Sequence, residues 1–267
     1  MDLGLKGAHV CIQGGSAGVG LAAAQAFVRE GAHVAILGRD ADRLEAAAAS
    51  LRVSGTDIVT LVADIDDAAT VDAAFATLAR RWPGLNVLVN AAGPQNSGQP
   101  WHEIEDAKWI SAFSTGALGA VRCARAALSM LRGAEWARIV NVSAMSTQHH
   151  SRGLADYTAA KSALNSISKN MALELAKEQI LVNLVSPGPV MTDGLRRYIT
   201  AQAGGSVDPD DLVQSGQWLT SQFGGGTDLG RVAHPDEIVP AILIASARTN
   251  SYMTGANTNV DGGSHFQ

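Results

Sequence analysis

Six short, almost uninterrupted apolar runs and one polar strand-like stretch constrain this 267-residue chain more than any other feature of its sequence. They fall at 8–13, 33–37, 58–63, 85–90, 138–142, 180–186 and 257–260, and read AHVCIQ, HVAIL, IVTLVA, LNVLVN, RIVNV, ILVNLVS and NTNV. A strand with one wet face alternates apolar and polar residues; most of these do not alternate, so they are strands buried on both faces. Longer segments of helical character separate them, at 18–30, 41–51, 67–80, 103–131, 154–178 and 235–247. Strand–helix–strand order implies right-handed crossovers and a parallel sheet with helices on both faces. No Pro/Gly/Ser linker interrupts the order, so 1–267 reads as one α/β domain. The exception is 192–230, too long without a strand to be a simple connection, which reads as a substrate loop or lid.

A chain of this length can bury roughly 70–75% of its unfolded surface, so it needs no covalent staples. Its two cysteines, Cys11 and Cys123, lie far apart inside apolar segments and offer neither a disulfide framework nor metal-ligand spacing. The net charge is −5 and no run of Lys or Arg occurs, which argues against nucleic acid or an anionic membrane surface as partner. No apolar stretch reaches the ~18 residues of a membrane helix. The N-terminus runs straight into the first strand without a signal-like segment, so a cytoplasmic location is expected.

The chemistry begins after the first strand, at Gln13-Gly14-Gly15-Ser16-Ala17-Gly18-Val19-Gly20. Gly14 lets the chain turn sharply, and Gly18 and Gly20 let backbone approach a pyrophosphate and let the helix pack on the sheet. Phosphates then sit at the positive end of the helix that follows, against the turn formed by Ser16, Ala17 and Val19. A strand–turn–helix setting is what a dinucleotide site requires of such a turn. At the end of the second strand Gly38 stands where a ribose-binding carboxylate would be, and Arg39 follows. A guanidinium suits a 2′-phosphate by charge and fork geometry, which favours NADP(H) over NAD(H). The other reading of Arg39 is an exposed turn residue paired with Asp42. Asp64 and Ile65 follow the third strand, where Asp64 is placed either to accept from an adenine amino group or to cap a helix, with Asp66 and Asp67 the better caps. Asn90, Ala91 and Gly93 end the fourth strand at the same sheet edge, small enough for a flat ring to approach.

Further along, Asp156-Tyr157-Thr158-Ala159-Ala160-Lys161 places Tyr157 and Lys161 on one helix face. A phenol titrating near ~10 is a poor acid or base at neutral pH. A neighbouring ammonium and a positively charged nicotinamide would stabilise its phenolate and poise it to exchange a proton with an alcohol or carbonyl oxygen.

Taken together, Gly14-x-x-x-Gly18-x-Gly20, Asp64, Asn90-Ala-Ala-Gly93, Tyr157-x-x-x-Lys161, Ser186-Pro-Gly-Pro-Val-Met-Thr192 and Val260-Asp-Gly-Gly263 resemble the short-chain dehydrogenase/reductase family, in family order and over almost the whole chain. The resemblance implies a Rossmann-type, doubly wound, seven-stranded parallel sheet and hydride transfer to or from a nicotinamide on a small-molecule substrate. It implies that Pro187, Gly188, Val190 and Thr192 line the nicotinamide side. It also implies that Tyr157 and Lys161 are catalytic and meet the coenzyme, and that dimers or tetramers form through the long helices of 103–131 and 154–178.

Four departures stand out. Gln13 replaces the usual Thr, and Ala91 the second Asn of Asn-Asn-Ala-Gly. The family's catalytic Ser, thirteen residues before the Tyr, falls on Ala144, and its helix Asn falls on Gly116. The missing donor is worth ~2–4 kcal/mol in such sites. Ser143, after a one-residue shift, or Ser146, Gln148 or His149 would replace it; otherwise the scaffold serves non-redox chemistry or a coenzyme-binding sensor. His149-His150 lacks a third ligand nearby, so no metal is expected. Met145, His149, Met191 and Trp218 are candidate substrate contacts and suit an apolar or aromatic alcohol or ketone. The other reading of the apolar members is packing of the lid.

Overall fold

The computed structural model describes residues 2–52, 56–224 and 226–264. Seven strands form one parallel sheet in the order β3-β2-β1-β4-β5-β6-β7, namely β1 (His9–Gln13), β2 (His33–Gly38), β3 (Ile58–Val62), β4 (Val87–Asn90), β5 (Ala137–Val142), β6 (Ile180–Pro187) and β7 (Asn257–Val260). Alternate residues of one strand feed the two faces. Val10, Ile12, Val34, Ile36, Val87 and Val89 pack under α1 (Gly18–Arg29) and α2 (Ala41–Leu51) through Phe27 and Leu44. Cys11, Ala35, Leu37, Leu88 and Ile139 point the other way, onto Phe75 and Leu78 of α3 (Ala68–Arg81). This two-sided burial is why the strands read as continuous apolar runs. Both cysteines are buried free thiols, and burial raises the Cys123 thiol to about 12.

The sequence direction of the sheet reverses between β1 and β4, and ligands of such sheets bind outside the strand ends at that crevice. Gln13 is in register with both Leu37 and Asn90, and Asn90 with Asn141, so four strands end level there.

Two expectations need correction. The segment 103–131 is not one regular helix. A 3₁₀ turn at Trp101–Glu103 precedes α4 (Asp106–Phe113), a π-turn spans Ser114–Leu118, and α5 (Gly119–Gly133) continues it. Gly116, inside the turn, lies where other segments of the chain come too close for a side chain: a Cβ there would stand 2.8 Å from Pro94 Cγ and 2.9 Å from Ala160 Cβ. The second concerns 192–230, which is helical rather than irregular. It holds α7 (Asp193–Gln202), capped by Thr192, and α8 (Leu212–Phe223), capped by Asp211. The remaining helices are α6 (Ala155–Leu175) and α9 (Val239–Ser246). No helix among the described residues is long and apolar enough to cross a membrane.

Candidate active site

The glycine turn is dictated by contact. Gly14 has φ +79°, and a Cβ there would stand 2.6 Å from the Ala92 nitrogen. A Cβ on Gly20 would collide with the Gly14 carbonyl oxygen, so α1 packs directly on the turn that precedes it. The first turn of α1 has no side-chain cap, its N-cap being Ala17, and no acidic residue. Its N–H groups therefore keep their positive end for an anion. Ser16 Oγ lies over Gly38 at the end of β2, next to Arg39. Arg39 is exposed, and no carboxylate among the described residues pairs with it; the turn is capped instead by Asp40, which accepts from the Arg43 N–H at 3.0 Å. A cradle that Cβ atoms would fill, an uncapped helix start and a free guanidinium together fit a phosphorylated dinucleotide.

Gln13 explains its own departure from the family. Its side-chain Oε1 accepts from Ala92 N–H at 2.9 Å while its backbone carbonyl accepts from Ala91 N–H at 2.9 Å. The end of β4 is thus tied to the end of β1. Asn90 is buried, and its Nδ2 donates to Asn141 Oδ1 at 2.8 Å, which passes the chain on to Ser168. Asn90 Oδ1 has no hydrogen-bond partner. Asp64 accepts from Asp66 N–H at 3.0 Å, and the cap of α3 is Asp67.

Gly93 meets the Tyr–Lys helix. A Cβ there would stand 3.6 Å from Lys161 Nζ and 4.0 Å from Tyr157 Cε2, so the end of β4 and α6 share one crevice. Lys161 is 2% exposed and its Nζ donates to the Val142 carbonyl at 2.7 Å. Burial, which disfavours charge, lowers the lysine to about 8 and raises the Tyr157 phenol to about 12. Within the chain alone, desolvation sets the phenol; the acid phenol expected from the sequence depends on the added charge of a nicotinamide. On the far side, Gly188 closes on Asp261, and Thr192 Cγ2 lies over Gly18, 3.1 Å from a Cβ placed there. The segment 187–192 therefore reaches back over the glycine turn, with Val190 bridged to Ala233.

The replacement for the family serine narrows on inspection. Ser143 is buried, and its hydroxyl donates to Asn165 Oδ1 at 2.5 Å. Its one proton is committed, which speaks against it as the donor. Thr147 donates to the Ala144 carbonyl at 2.9 Å, and both ends of the Gln148 amide pair with Asn259. Ser146 differs: it is 3% exposed and its Oγ has no hydrogen-bond partner. Met145 and His149 are half-buried beside it. Met191 is not at a pocket wall: it is buried with Ile199 and Val232, and Trp218 packs on that cluster and edge-on to Tyr198 at 6.0 Å. Those side chains pack the helices of 191–232 on one another rather than on the main core. Gln13, Gly15 and Gly116 carry the geometry without being singled out as site residues. For Gly15 a Cβ would stand 2.6 Å from Ile36 Cγ2.

Fold and crevice together define an α/β protein of the dinucleotide-dependent oxidoreductase class. Residues 8–203 match the family model described as short chain dehydrogenase. Among curated relatives, galactitol 2-dehydrogenase of Rhizobium johnstonii is 32% identical over 265 residues, covering 97% of this chain and 95% of that protein. The 2,3-dihydro-2,3-dihydroxybenzoate dehydrogenase of Escherichia coli is 30% identical, covering 97% of each. Among solved structures, L-sorbose reductase from Gluconobacter frateurii, complexed with NADPH and L-sorbose, superposes with a TM-score of 0.90 at 29% identity over 100% of both chains. The chain belongs to the short-chain dehydrogenase/reductase family and is an NAD(P)-dependent oxidoreductase.

Proposed function

We propose that this enzyme interconverts a secondary alcohol and a ketone on a compact apolar or aromatic small molecule, using NADP(H) in preference to NAD(H). The observation that carries the reading is the convergence of Tyr157, Lys161 and Gly93 in the crevice opened by the glycine turn. When bound, the nicotinamide supplies or accepts the hydride. Tyr157, kept protonated by its burial, would donate its proton to the carbonyl oxygen in reduction, and in the reverse direction its phenolate would take the proton from the alcohol. Lys161, anchored on the Val142 carbonyl, shares the crevice at Gly93 with the Tyr157 ring and would lend it a positive charge. Ser146, with its hydroxyl unpartnered, is the second donor to the oxygen in place of the serine missing at Ala144. Arg39, exposed beside Ser16, supports the preference for a 2′-phosphate, as does the NADPH complex of the sorbose reductase. Assembly into dimers or tetramers along α4 and α6 is supported by exposed Ile110 and Phe113, and light scattering on the purified protein checks it.

Hydride transfer is tested by following reduced-coenzyme absorbance across a panel of cyclic, aromatic and polyhydroxy alcohols and ketones. Tyr157→Phe should lower turnover by about a thousandfold, the range of a lost general acid, with coenzyme still bound. Ser146→Ala should lower kcat about a hundredfold, as loss of one oxyanion donor does, while Ser143→Ala should not. Wild-type turnover of polyhydroxy substrates alone would overturn the apolar assignment, and no turnover of any would overturn the reaction.

A further inference from the structure

The short strip Asp64–Asp66 is gripped by the π-turn and the start of α5 through groups the catalytic reading does not use. Arg122 reaches back from α5 with its side chain 17% exposed. Its Nη1 donates to the Ile65 carbonyl at 2.8 Å, to the Ser114 carbonyl at 3.3 Å and to Ser114 Oγ at 3.2 Å, and lies 3.7 Å from Asp66 Oδ1. The Asp66 carboxylate takes two more donors, Ser114 Oγ at 2.9 Å and Thr115 Oγ1 at 2.8 Å. Ile65 lies with its side chain against Gly119, where a Cβ would stand 2.9 Å from its Cδ1. The strip is therefore held by its carbonyl, its carboxylate and its side chain at once.

The π-turn makes this possible. Its i→i+5 bond, Gly119 N–H to the Ser114 carbonyl, widens the helix. Ser114 and Thr115 both reach Asp66, while Gly116 meets Pro94 and Ala160 on the side of α6. Ala160 is the residue before Lys161. One turn thus connects the strip after β3 with the helix of Tyr157. Bonds to a charged donor in a half-buried setting are the stronger kind, and holding a recognition loop in place before binding removes the ordering cost from the association step.

We propose that Arg122, acting through Ile65 and Asp66, is a positioning residue for the coenzyme, holding the edge that Asp64 presents to the adenine amino group. The inference rests on the coenzyme reading given above. It is tested by titrating wild type, Arg122→Met, Arg122→Lys and Thr115→Val with NADPH, read by protein fluorescence, and with 2′,5′-ADP, read by calorimetry. Melting temperature is measured in parallel without coenzyme. Arg122→Met should weaken NADPH and 2′,5′-ADP alike by about tenfold, the scale of one charge-assisted hydrogen bond, and Arg122→Lys should recover part of the loss. Thr115→Val removes a single hydroxyl and should weaken both by about threefold; it decides the matter if Arg122→Met does not fold. Folded variants that melt earlier yet bind both ligands as wild type does would overturn the inference, because the clamp would then be purely structural. So would a loss confined to NADPH with 2′,5′-ADP unchanged. Wild type that binds neither ligand would instead overturn the coenzyme reading itself.

Discussion

Replacing Lys161 by methionine should change how stability depends on pH in a direction that burial dictates. The ammonium is lowered from an ordinary 10.5 to about 8 because its surroundings cannot solvate charge, and it donates to the Val142 carbonyl. A shift of that size corresponds to about 3 kcal/mol against the protonated folded form. Below pH 8 both folded and unfolded chains hold the proton and the whole penalty is present. Between 8 and 10.5 the unfolded chain keeps a proton that the folded chain has released, so stability rises with pH. The Tyr157 phenol, raised by burial to about 12, works the other way, and its contribution is lost only as pH climbs from 10 towards 12. The clean window therefore ends near pH 9.5. Urea unfolding of coenzyme-free protein, followed by tryptophan fluorescence at steps from pH 7 to 9.5, should show wild type gaining about 2 kcal/mol relative to Lys161→Met. A difference that stays flat or falls over that range would refute the argument, because the amine would then be neither desolvated nor reluctant to hold its proton.

Gly20→Ala should be among the most damaging single-atom additions, since the new Cβ would meet the Gly14 carbonyl, which is backbone and cannot yield; a loss of about 2–3 kcal/mol in thermal or urea unfolding is expected, with coenzyme affinity falling alongside. Arg39→Ala should weaken NADPH by about tenfold or more while leaving NADH within about twofold, as removal of a phosphate-binding guanidinium requires; fluorescence titration of both coenzymes checks it, and equal losses would remove the basis for the preference.

The sheet and its order of helices were legible because both faces of every central strand are buried, which writes continuous apolar runs such as AHVCIQ and HVAIL into the chain. The glycine turn and the Tyr–Lys spacing were legible because close approach and helical periodicity admit few residue types. What stayed hidden depends on partners distant in sequence. Gly116 looks like a missing asparagine until Pro94 and Ala160 are seen to close on it. Ser143 looks like a spare hydroxyl until Asn165, on the next helix, takes its proton. Met191 looks like a pocket wall until α7 brings Ile199 against it. The helices α7 and α8 escaped notice because glycines flank them and their apolar residues serve a small separate cluster rather than the main core.

The tie from Gln13 to Ala91 and Ala92 has a mechanical meaning. By stapling the two strands on either side of the crevice, it gives the crevice an unyielding floor. If 192–230 acts as the proposed lid, the opening that admits substrate or releases coenzyme would come from this roof, where Thr192 rests on Gly18 and glycines with left-handed backbone at 204, 205 and 224 bound the two helices. The speed of a catalytic cycle would be governed by how readily that roof lifts, and substitutions there would alter throughput without touching a reacting atom.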